Sequence, residues 1–381
     1  MNSKNIIRRG QSSAPDPSTA VRELHEAIAQ KDTALAIFFC SSEYDLNALS
    51  DEMNRQFAGV SIVGCTTAGE IGPAGYQDHG ISGMSFPAST CTALIAPLSD
   101  LEHFSMNDGQ EVSHALLQKL ETYAPNAGPT NSFAFLLIDG LSGREEQAAR
   151  ALQNGIGPIR LFGGSAGDDG KYVRTYVFYD GAFHTNSAVL ILINTILPFT
   201  VFRTQHFVCD EERLVVTEAD AARRIVKEIN GLPAAAEYAK RIRVATTELR
   251  PALFAAYPVV VVIDGKEYVR SIQKANEDGS LTFFSAIDEG LVFRFAHGVD
   301  LLSNLKKTFA DIRAKIGEPQ ITIVCDCILR NQEITQNGFK EIVGDIMRYN
   351  GAVGFSTYGE QIDGVHVNQT LTGIAIGTPV E

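Results

Sequence analysis

The sequence predicts a mixed α+β protein made of duplicated strand–helix–strand units in two modules, with a hairpin-rich sheet in its C-terminal part. Three observations predict it. A unit of buried strand, amphipathic helix, short strand, polar turn and strand occurs three times along the chain, which points to a fold built by duplication. Between the second and third occurrences, short apolar runs are joined by Asp-Gly dipeptides, which mark tight hairpins. The length, 381 residues, exceeds one domain at about 100–200 residues each.

The elements follow in order. Residues 1–17 are polar and hold Pro15 and Pro17, so they read as a flexible tail. Ser18 is the expected N-cap of a helix over 18–30, with Ala20, Val21, Leu24 and Ile28 at helical spacing. The first unit follows as strand 35–39, helix 46–57, strand 60–63, a Gly/Thr turn and strand 81–86. The second is strand 133–138, helix 145–154, strand 159–162, a Gly/Ser turn and strand 188–193, with an inserted hairpin over 172–183 that turns at Asp180-Gly181. The third is strand 321–325, helix 338–349, strand 352–353, a Ser/Thr turn and strand 371–376. Stacked by pattern, the turns are Thr67-Ala68-Gly69-Glu70, Ser165-Ala166-Gly167-Asp168 and Thr357-Tyr358-Gly359-Glu360.

Between the second and third units, a helix is expected over 219–229, capped by Thr217 and ended by Asn230-Gly231-Leu232-Pro233. That stop sets the expected boundary between an N-terminal domain, 18–230, and a C-terminal domain, 231–381. Beyond it come a helix over 234–240 and strands over 258–263, 267–272, 281–284 and 290–295, with turns at Asp264-Gly265 and Asp278-Gly279.

A hydrophobic share of 45% and a charged share of 20% are those of a water-soluble globular protein. The formal charge of -13 repels phosphate backbones and anionic lipid, so neither nucleic acid nor a membrane surface is an expected partner. No apolar run approaches the ~20 residues a bilayer span needs, and no apolar stretch follows Lys4, Arg8 and Arg9 to make a secretory signal. A cytoplasmic location is expected. The six cysteines are too sparse for a disulfide framework, and the spacing of Cys325 and Cys327 is not that of a zinc knuckle.

The three turns are the most organised polar feature. Gly69, Gly167 and Gly359 allow backbone N–H groups to converge as in an anion nest, and Glu70, Asp168, Asp169 and Glu360 could meet a cationic group. Thr357 and Ser165 add hydroxyls, and Gly163-Gly164-Ser165-Ala166-Gly167-Asp168-Asp169 is denser in glycine and carboxylate than a turn requires. The alternative is that these are structural turns in which glycine supplies positive φ and the acid accepts backbone N–H bonds. No nucleophile elbow, catalytic triad spacing or zinc motif appears, so an enzyme is not expected. A strand over 199–209 would put Phe202, Thr204, His206 and Val208 on one face, an imidazole on an apolar surface. Such a face suits a haem-iron ligand, with Arg203 beside it for a propionate, or a half-buried histidine bonded within a sheet. His184, after the Asp180-Gly181 turn, shares the ambiguity.

At these residues the chain resembles the FIST sensory proteins with both N- and C-terminal modules, and more narrowly the nitric-oxide-sensing NosP group. The resemblance runs from about Lys31 to Gly377. It is carried by Val63-Gly64-Cys65-Thr66-Thr67-Ala68-Gly69-Glu70-Ile71, Phe162-Gly163-Gly164-Ser165-Ala166-Gly167-Asp168-Asp169, Arg203-Thr204-Gln205-His206-Phe207, Glu228-Ile229-Asn230-Gly231, Asp326-Cys327-Ile328-Leu329-Arg330 and Gly354-Phe355-Ser356-Thr357-Tyr358-Gly359-Glu360. The resemblance implies a signal-transduction sensor that binds haem, senses nitric oxide and modulates a partner histidine kinase in a two-component system, with a possible homo-oligomer. In the NosP pattern a histidine would fall in Val367-Asn368-Gln369-Thr370-Leu371, where this chain has Gln369. The alternative is a FIST sensor of a small polar metabolite, such as an amino acid, held at the turns without haem. A hydrolase using Ser165 or Cys327 is the third reading.

Overall fold

A computed structural model describes residues 6–263 and 265–378. It falls into two compact units: Met1–Arg203 with Lys306–Val365 and Leu371–Glu381, and Thr204–Leu305 with His366–Thr370. Helices and sheets are both present throughout, as an α+β fold requires.

The first unit repeats one pattern three times, and the pattern is longer than the sequence suggested. Each copy opens with an outer strand and a helix: Arg8–Ser12 and Pro17–Ile28, Cys91–Leu98 and Met106–Tyr123, Phe199–Thr204 and Leu301–Ile316. Each continues with a first strand, one or two helices, a second strand, a small hairpin and a third strand. The first strands are Thr33–Ser41, Ser132–Ile138 and Pro319–Cys327; the second are Ile62–Thr67, Arg160–Ser165 and Ala352–Thr357; the third are Ile81–Pro87, Ala188–Thr195 and Leu371–Gly377. In every copy the first strand runs parallel to the second and antiparallel to the third. The second unit is therefore inserted, in chain order, between the outer strand and the helix of the third copy.

The hairpins do not stay with their own copy. Glu70–Gly72 pairs with Ala352–Thr357 of the third copy, Glu360–Ile362 with Arg160–Ser165 of the second, and Val177–Tyr179 with Ile62–Thr67 of the first. The exchange is cyclic, so it closes three six-stranded sheets into a ring. Each first strand is buried on both faces. Phe38 and Cys40 meet helices, with Ala20, Val21, Leu24, Ile28, Leu49 and Met53. Phe39, on the opposite face, stacks on Phe355 at 4.6 Å and meets Phe135 edge-on at 6.5 Å. That two-sided burial explains why these strands read as continuous apolar runs rather than alternating ones.

One glycine per copy sets the register. A Cβ on Gly64, Gly163 or Gly354 would lie 2.5, 2.3 or 1.8 Å from the carbonyl oxygen of Phe38, Leu136 or Val324. The second strand packs so closely on the first there that only glycine fits. Aligned on these glycines, Ser165 falls opposite Thr66 and Ser356, and Asp169 opposite Glu70 and Glu360. The turn alignment read from the sequence was thus one residue out in the middle copy.

Three further expectations are corrected. Arg8–Ser12 is a strand paired with Ile81–Pro87 rather than loose tail, and the N-cap of the following helix is Asp16, whose side chain accepts from Thr19 N at 2.8 Å. Residues 1–5 of the expected tail, and Asp264 of the expected Asp264-Gly265 turn, lie outside the described residues. The helix expected over 219–229 is a strand pair, Leu214–Asp220 with Ile225–Ile229, joined through a short 3-10 turn at Ala221–Arg223. Apolar residues in so short a run satisfy either period, and pairing with Leu281–Phe283 decides for strand. Asn230-Gly231 is then the turn into Leu232–Pro233. The second unit is the expected hairpin-rich sheet, with Val259–Ile263, Lys266–Arg270, Ile272–Ala275, Leu281–Phe283 and Val292–Gly298 among its strands and helices Ala234–Arg241 and Pro251–Ala256.

Ring closure is anchored by a buried triad. Tyr76, on the exchanged hairpin of the first copy, donates its hydroxyl to Asp326 Oδ2 at 2.5 Å, and Arg330 Nε donates to Asp326 Oδ1 at 2.7 Å. Arg330 and Asp326 are 1% and 0% exposed, and burial beside Asp326 holds the Tyr76 hydroxyl well above its usual range. Replacing Arg330 by Ala leaves the Asp326 charge buried without its cation, with an expected loss of about 3–5 kcal/mol measured by urea unfolding. Substitution of the whole triad by apolar residues of similar volume is expected to be far milder.

Candidate functional site

The three polar turns meet on the inner side of the ring and hydrogen-bond one another in a cycle. Ala68 N donates to Ser356 O at 2.9 Å, Tyr358 N to Ser165 O at 3.2 Å, and Gly167 N to Thr66 O at 2.9 Å. Gly69 N and Gly359 N donate to the hydroxyls of Thr67 and Thr357 at 3.3 and 3.2 Å. The glycines take φ of +122 and +156 at Gly69 and Gly359, so the first supplies the positive φ the turn was expected to need. A Cβ on Gly167 would lie 2.7 Å from Ala68 N, which shows how tightly the turns interlock.

The carboxylates are engaged as well. Glu70 accepts from the Thr67 hydroxyl at 2.5 Å and from Gly80 N at 2.8 Å. Glu360 accepts from the Thr357 hydroxyl. Asp169 gathers Ser41 Oγ, Ser42 N and Ser42 Oγ at 2.7–3.0 Å. Asp168 accepts from the backbone N–H groups of Tyr172, Val173 and Arg174 at 2.6–2.8 Å, and from the Tyr358 hydroxyl. Tyr172 covers this bond by stacking on Tyr358 at 4.5 Å. Gly164 leaves space for Cys325 Sγ, 3.0 Å from where its Cβ would be, and Ser165 Oγ accepts from Gln361. Gly69, Glu70, Gly163, Gly164, Ser165, Gly167, Asp168, Asp169, Thr357, Gly359 and Glu360 are thus brought together, and their polar groups are engaged by one another and by neighbouring protein groups of Ser41, Ser42, Gly80 and Tyr172 to Arg174. The structural alternative for the turns fits this geometry: these residues are buried apart from Asp169, which is half-buried.

The haem candidates are divided between the two units. His206 does not lie on a strand: Gln205 and His206 interrupt the run between Phe199–Thr204 and Phe207–Cys209. Phe202 belongs to the first unit, near Phe309 at 6.3 Å and Gly373, while Val208 is 47% exposed. Arg203 ends the first chain segment of the first unit, half-buried. In the second unit, the His206 ring is 1% exposed and lies against Phe207 at 4.4 Å. Its Cδ2–Nε2 edge faces Gly298, where even a Cβ would be in van der Waals contact at 3.7–3.8 Å. As packed, these residues do not fit a porphyrin, which needs a ring nitrogen facing an open apolar slot. His184, in the first unit, stacks on Tyr179 at 4.0 Å with Nε2 3.3 Å from the Tyr179 carbonyl. Among the described residues no group of three or more His, Cys, Asp or Glu side chains is placed to hold a metal ion.

Two features of the second unit were not legible in the sequence. The segment His366–Thr370, the return loop of the third copy, is fully buried and held by side chains of the inserted region. Arg270 Nη1 donates to His366 O at 2.5 Å, Ser271 Oγ to Gln369 Oε1 at 2.8 Å, Ser285 Oγ to Asn368 Oδ1, and Gln369 Nε2 to Ala255 O at 2.9 Å. Gln369 takes φ +51, as His79 and Asn186 do at +62 and +50 in the corresponding loops. The one sequence signal was the polar run Asn368-Gln369-Thr370 directly before an apolar strand. The second feature is a cleft of about 490 Å3 lined by Asp210, Glu237, Arg241, Arg243, Tyr257 and His297, among others. It joins charges of both signs to an aromatic wall, with the largely buried Glu237 carboxylate 3.5 Å from Lys240 Nζ.

No helix is long and apolar enough to cross a membrane among the described residues. Residues 34–232 match the FIST N domain and residues 234–363 the FIST C domain. An uncharacterized protein of Methanocaldococcus jannaschii is 21% identical over 371 residues, an alignment that covers 86% of this chain and 70% of the relative.

Burial gives the turns a measurable signature. Loss of solvent pushes the Glu70 carboxyl up to about 8, against the lowering effect of its bonds to Thr67 and Gly80. The folded state then holds a proton that the unfolded chain, with an ordinary carboxyl near 4.5, has released. The stability contribution is full below the unfolded pKa, falls as pH rises through the window to about 8, and levels off above it. The expected fall is on the order of 4 kcal/mol, read from denaturant midpoints at pH 5 and pH 9. Glu70→Gln, which mimics the protonated form, is expected to remove this part of the slope; an unchanged slope would place the titration elsewhere.

Proposed function

The chain belongs to the FIST family, whose domains are signal-transduction sensors, and on that premise we propose that it binds a small polar metabolite of the amino-acid kind and reports its state to a partner histidine kinase. The observation that carries this reading is the cleft of the second unit, where Asp210 and Glu237 share one concavity with Arg241 and Arg243. A molecule bearing both an ammonium and a carboxylate meets opposite charges there, and Tyr257 gives its apolar part a surface. The turns are replaced by this cleft as the proposed site.

The route from ligand to partner is supported by chain connectivity. The segment His366–Thr370, gripped by Arg270, Ser271 and Ser285, runs directly into Leu371–Gly377, a strand of the ring. A shift in the inserted unit that moved those three side chains would act on a backbone that the first unit also uses.

A thermal-shift screen of the twenty common amino acids and their simple amine and acid analogues tests the reading. A true ligand at 100 times its Kd is expected to add about 2.7 kcal/mol of stability, with the gain lost in Glu237→Gln. If no compound raises the melting temperature of the wild-type chain, the reading fails.

Haem binding with nitric-oxide sensing is the second reading, favoured by one observation: the His206 imidazole is withdrawn from solvent beside the Phe207 ring. It requires the packing around His206 to open. An absorption spectrum after haem supply decides it. A stoichiometric Soret band that His206→Ala abolishes is the result expected on that reading, and a featureless spectrum ends it.

A further inference from the structure

The three copies of the ring leave three corresponding grooves, each between the free edge of an outer strand and the beginning of another copy's second strand. Two are bridged from within. In one, Arg9 on the outer strand Arg8–Ser12 directs Nη1 to the carbonyl of Ala352 at 3.4 Å, and Ala74 N donates to Gln11 Oε1 at 2.8 Å. In another, Arg160 Nη1 donates to the carbonyl of Val201 on the outer strand Phe199–Thr204 at 3.2 Å. There the same guanidinium is fixed by Asp363, in the hairpin turn, at 2.6 Å.

The remaining groove lies along Cys91–Leu98 and has no such bridge among the described residues. It is an open channel of about 520 Å3, lined by Ser61, Ile62, Val63, Ala93 to Ile95, Pro97, Tyr179 and Asp180 among others. The register explains the gap. Aligned on Gly64 and Gly163, Ser61 stands where the second copy has Arg160. Aligned through the pairs Gly10 with Gly83 and Ala96 with Leu190, Ile95 stands where the first copy has Arg9. Asp180, at the first position of its two-residue hairpin turn, corresponds to Asp363 and is the only charged residue lining the channel among the described residues. The acid that receives the guanidinium has been kept, and the guanidinium is absent. Cys91–Leu98 is also the last strand of its sheet, paired only with Ala188–Thr195, so its outer row of backbone groups faces the channel. Val177–Tyr179 covers Ile62–Thr67 only at Gly64 and Cys65, which leaves the opposite wall uncovered at Ile62 and Val63.

We propose that this channel is a docking site for an extended, arginine-bearing segment of a partner protein, which adds as a strand to the edge of Cys91–Leu98 and places its guanidinium at Asp180. Strand addition supplies main-chain hydrogen bonds, and alternate side chains pack on Ile62, Leu94 and Ile95. The charge matches: the chain carries -13 overall, and the channel's single charge is negative. The inference concerns how the chain engages a protein, and it stands or falls independently of which small molecule the cleft binds.

The test uses the full chain and a fluorescein-labelled acetyl-Thr-Val-Arg-Val-Thr-amide peptide followed by anisotropy. Saturable binding is expected, weakened at least tenfold when the peptide arginine is replaced by glutamate and likewise in Asp180→Asn. Ser61→Arg is expected to fill the channel as Arg160 does its own groove, abolishing binding while the melting temperature stays level or rises. Hydrogen exchange of the outward-facing amides of Cys91–Leu98, those not bonded to Ala188–Thr195, reports the strand addition directly, with their protection expected only in the presence of the arginine peptide. No binding to the wild type, equal binding of the arginine and glutamate peptides, or undiminished binding to a folded Ser61→Arg chain would each overturn the proposal.

Discussion

The structure depends on the cyclic exchange of hairpins between its three copies. Each copy carries four strands whose sheet is completed only by a hairpin from another copy. A single copy would expose a strand edge on one side and an unpaired hairpin on the other, and small unpaired sheets are marginal in water. Closing the cycle removes both defects at once. It also brings three hydroxyl-rich turns into one buried place, where every N–H and carboxylate must find a partner because water is excluded. The backbone bonds from Ala68, Gly167 and Tyr358 to the next copy are that solution. The raised Glu70 carboxyl is its electrostatic consequence.

Once the ring is closed, its copies are free to differ wherever closure does not need them alike. Gly64, Gly163 and Gly354 are the same in all three because a strand crossing sits on each. The outer grooves are not constrained in that way, and Arg9, Arg160 and Ser61 have diverged there. The third copy has diverged most: it takes the whole inserted unit between its outer strand and helix, and gives up its return loop, His366–Thr370, to that unit. The FIST N and FIST C matches meet near residue 233, inside the second compact unit, so order along the chain and compactness in space divide this protein differently.

The sensory reading rests on the same division. The ring is tightly packed and cross-bonded between its copies, which suits a scaffold that transmits a change as a whole. The inserted unit holds the open cleft with charges of both signs, and the gripped loop joins the two covalently. The buried polar residues of that loop are chemically costly to keep in an interior. Their bonds to Arg270, Ser271 and Ser285 offset this cost only while loop and inserted unit keep their present arrangement.

By itself the sequence determined the class of fold, the three recurring strand–helix–strand units, the hairpins of the second unit and the grouping of the turn residues. These are local matters, written in apolar periodicity and in the conformational freedom of glycine beside aspartate or a hydroxyl. The outer strand Arg8–Ser12 was missed because it carries too few core-facing residues to show a period, and Cys91–Leu98 because its apolar residues fall on both faces and hide the alternation of Leu94, Ala96 and Leu98 on the core. The helix wrongly expected over 219–229 failed for the opposite reason, since its short apolar pattern fits two periods and only the neighbouring strands choose between them. Tertiary structure alone decided the one-residue register of the middle turn, because a shift of one residue exchanges the faces of a strand and only contact with Leu136 shows which face is inward. It also decided that His206 breaks a strand, that Tyr76, Asp326 and Arg330 meet across 250 residues, and that the turns bond to one another. Each of these depends on which groups from distant copies share a buried place, and no pattern within a single copy carries that information.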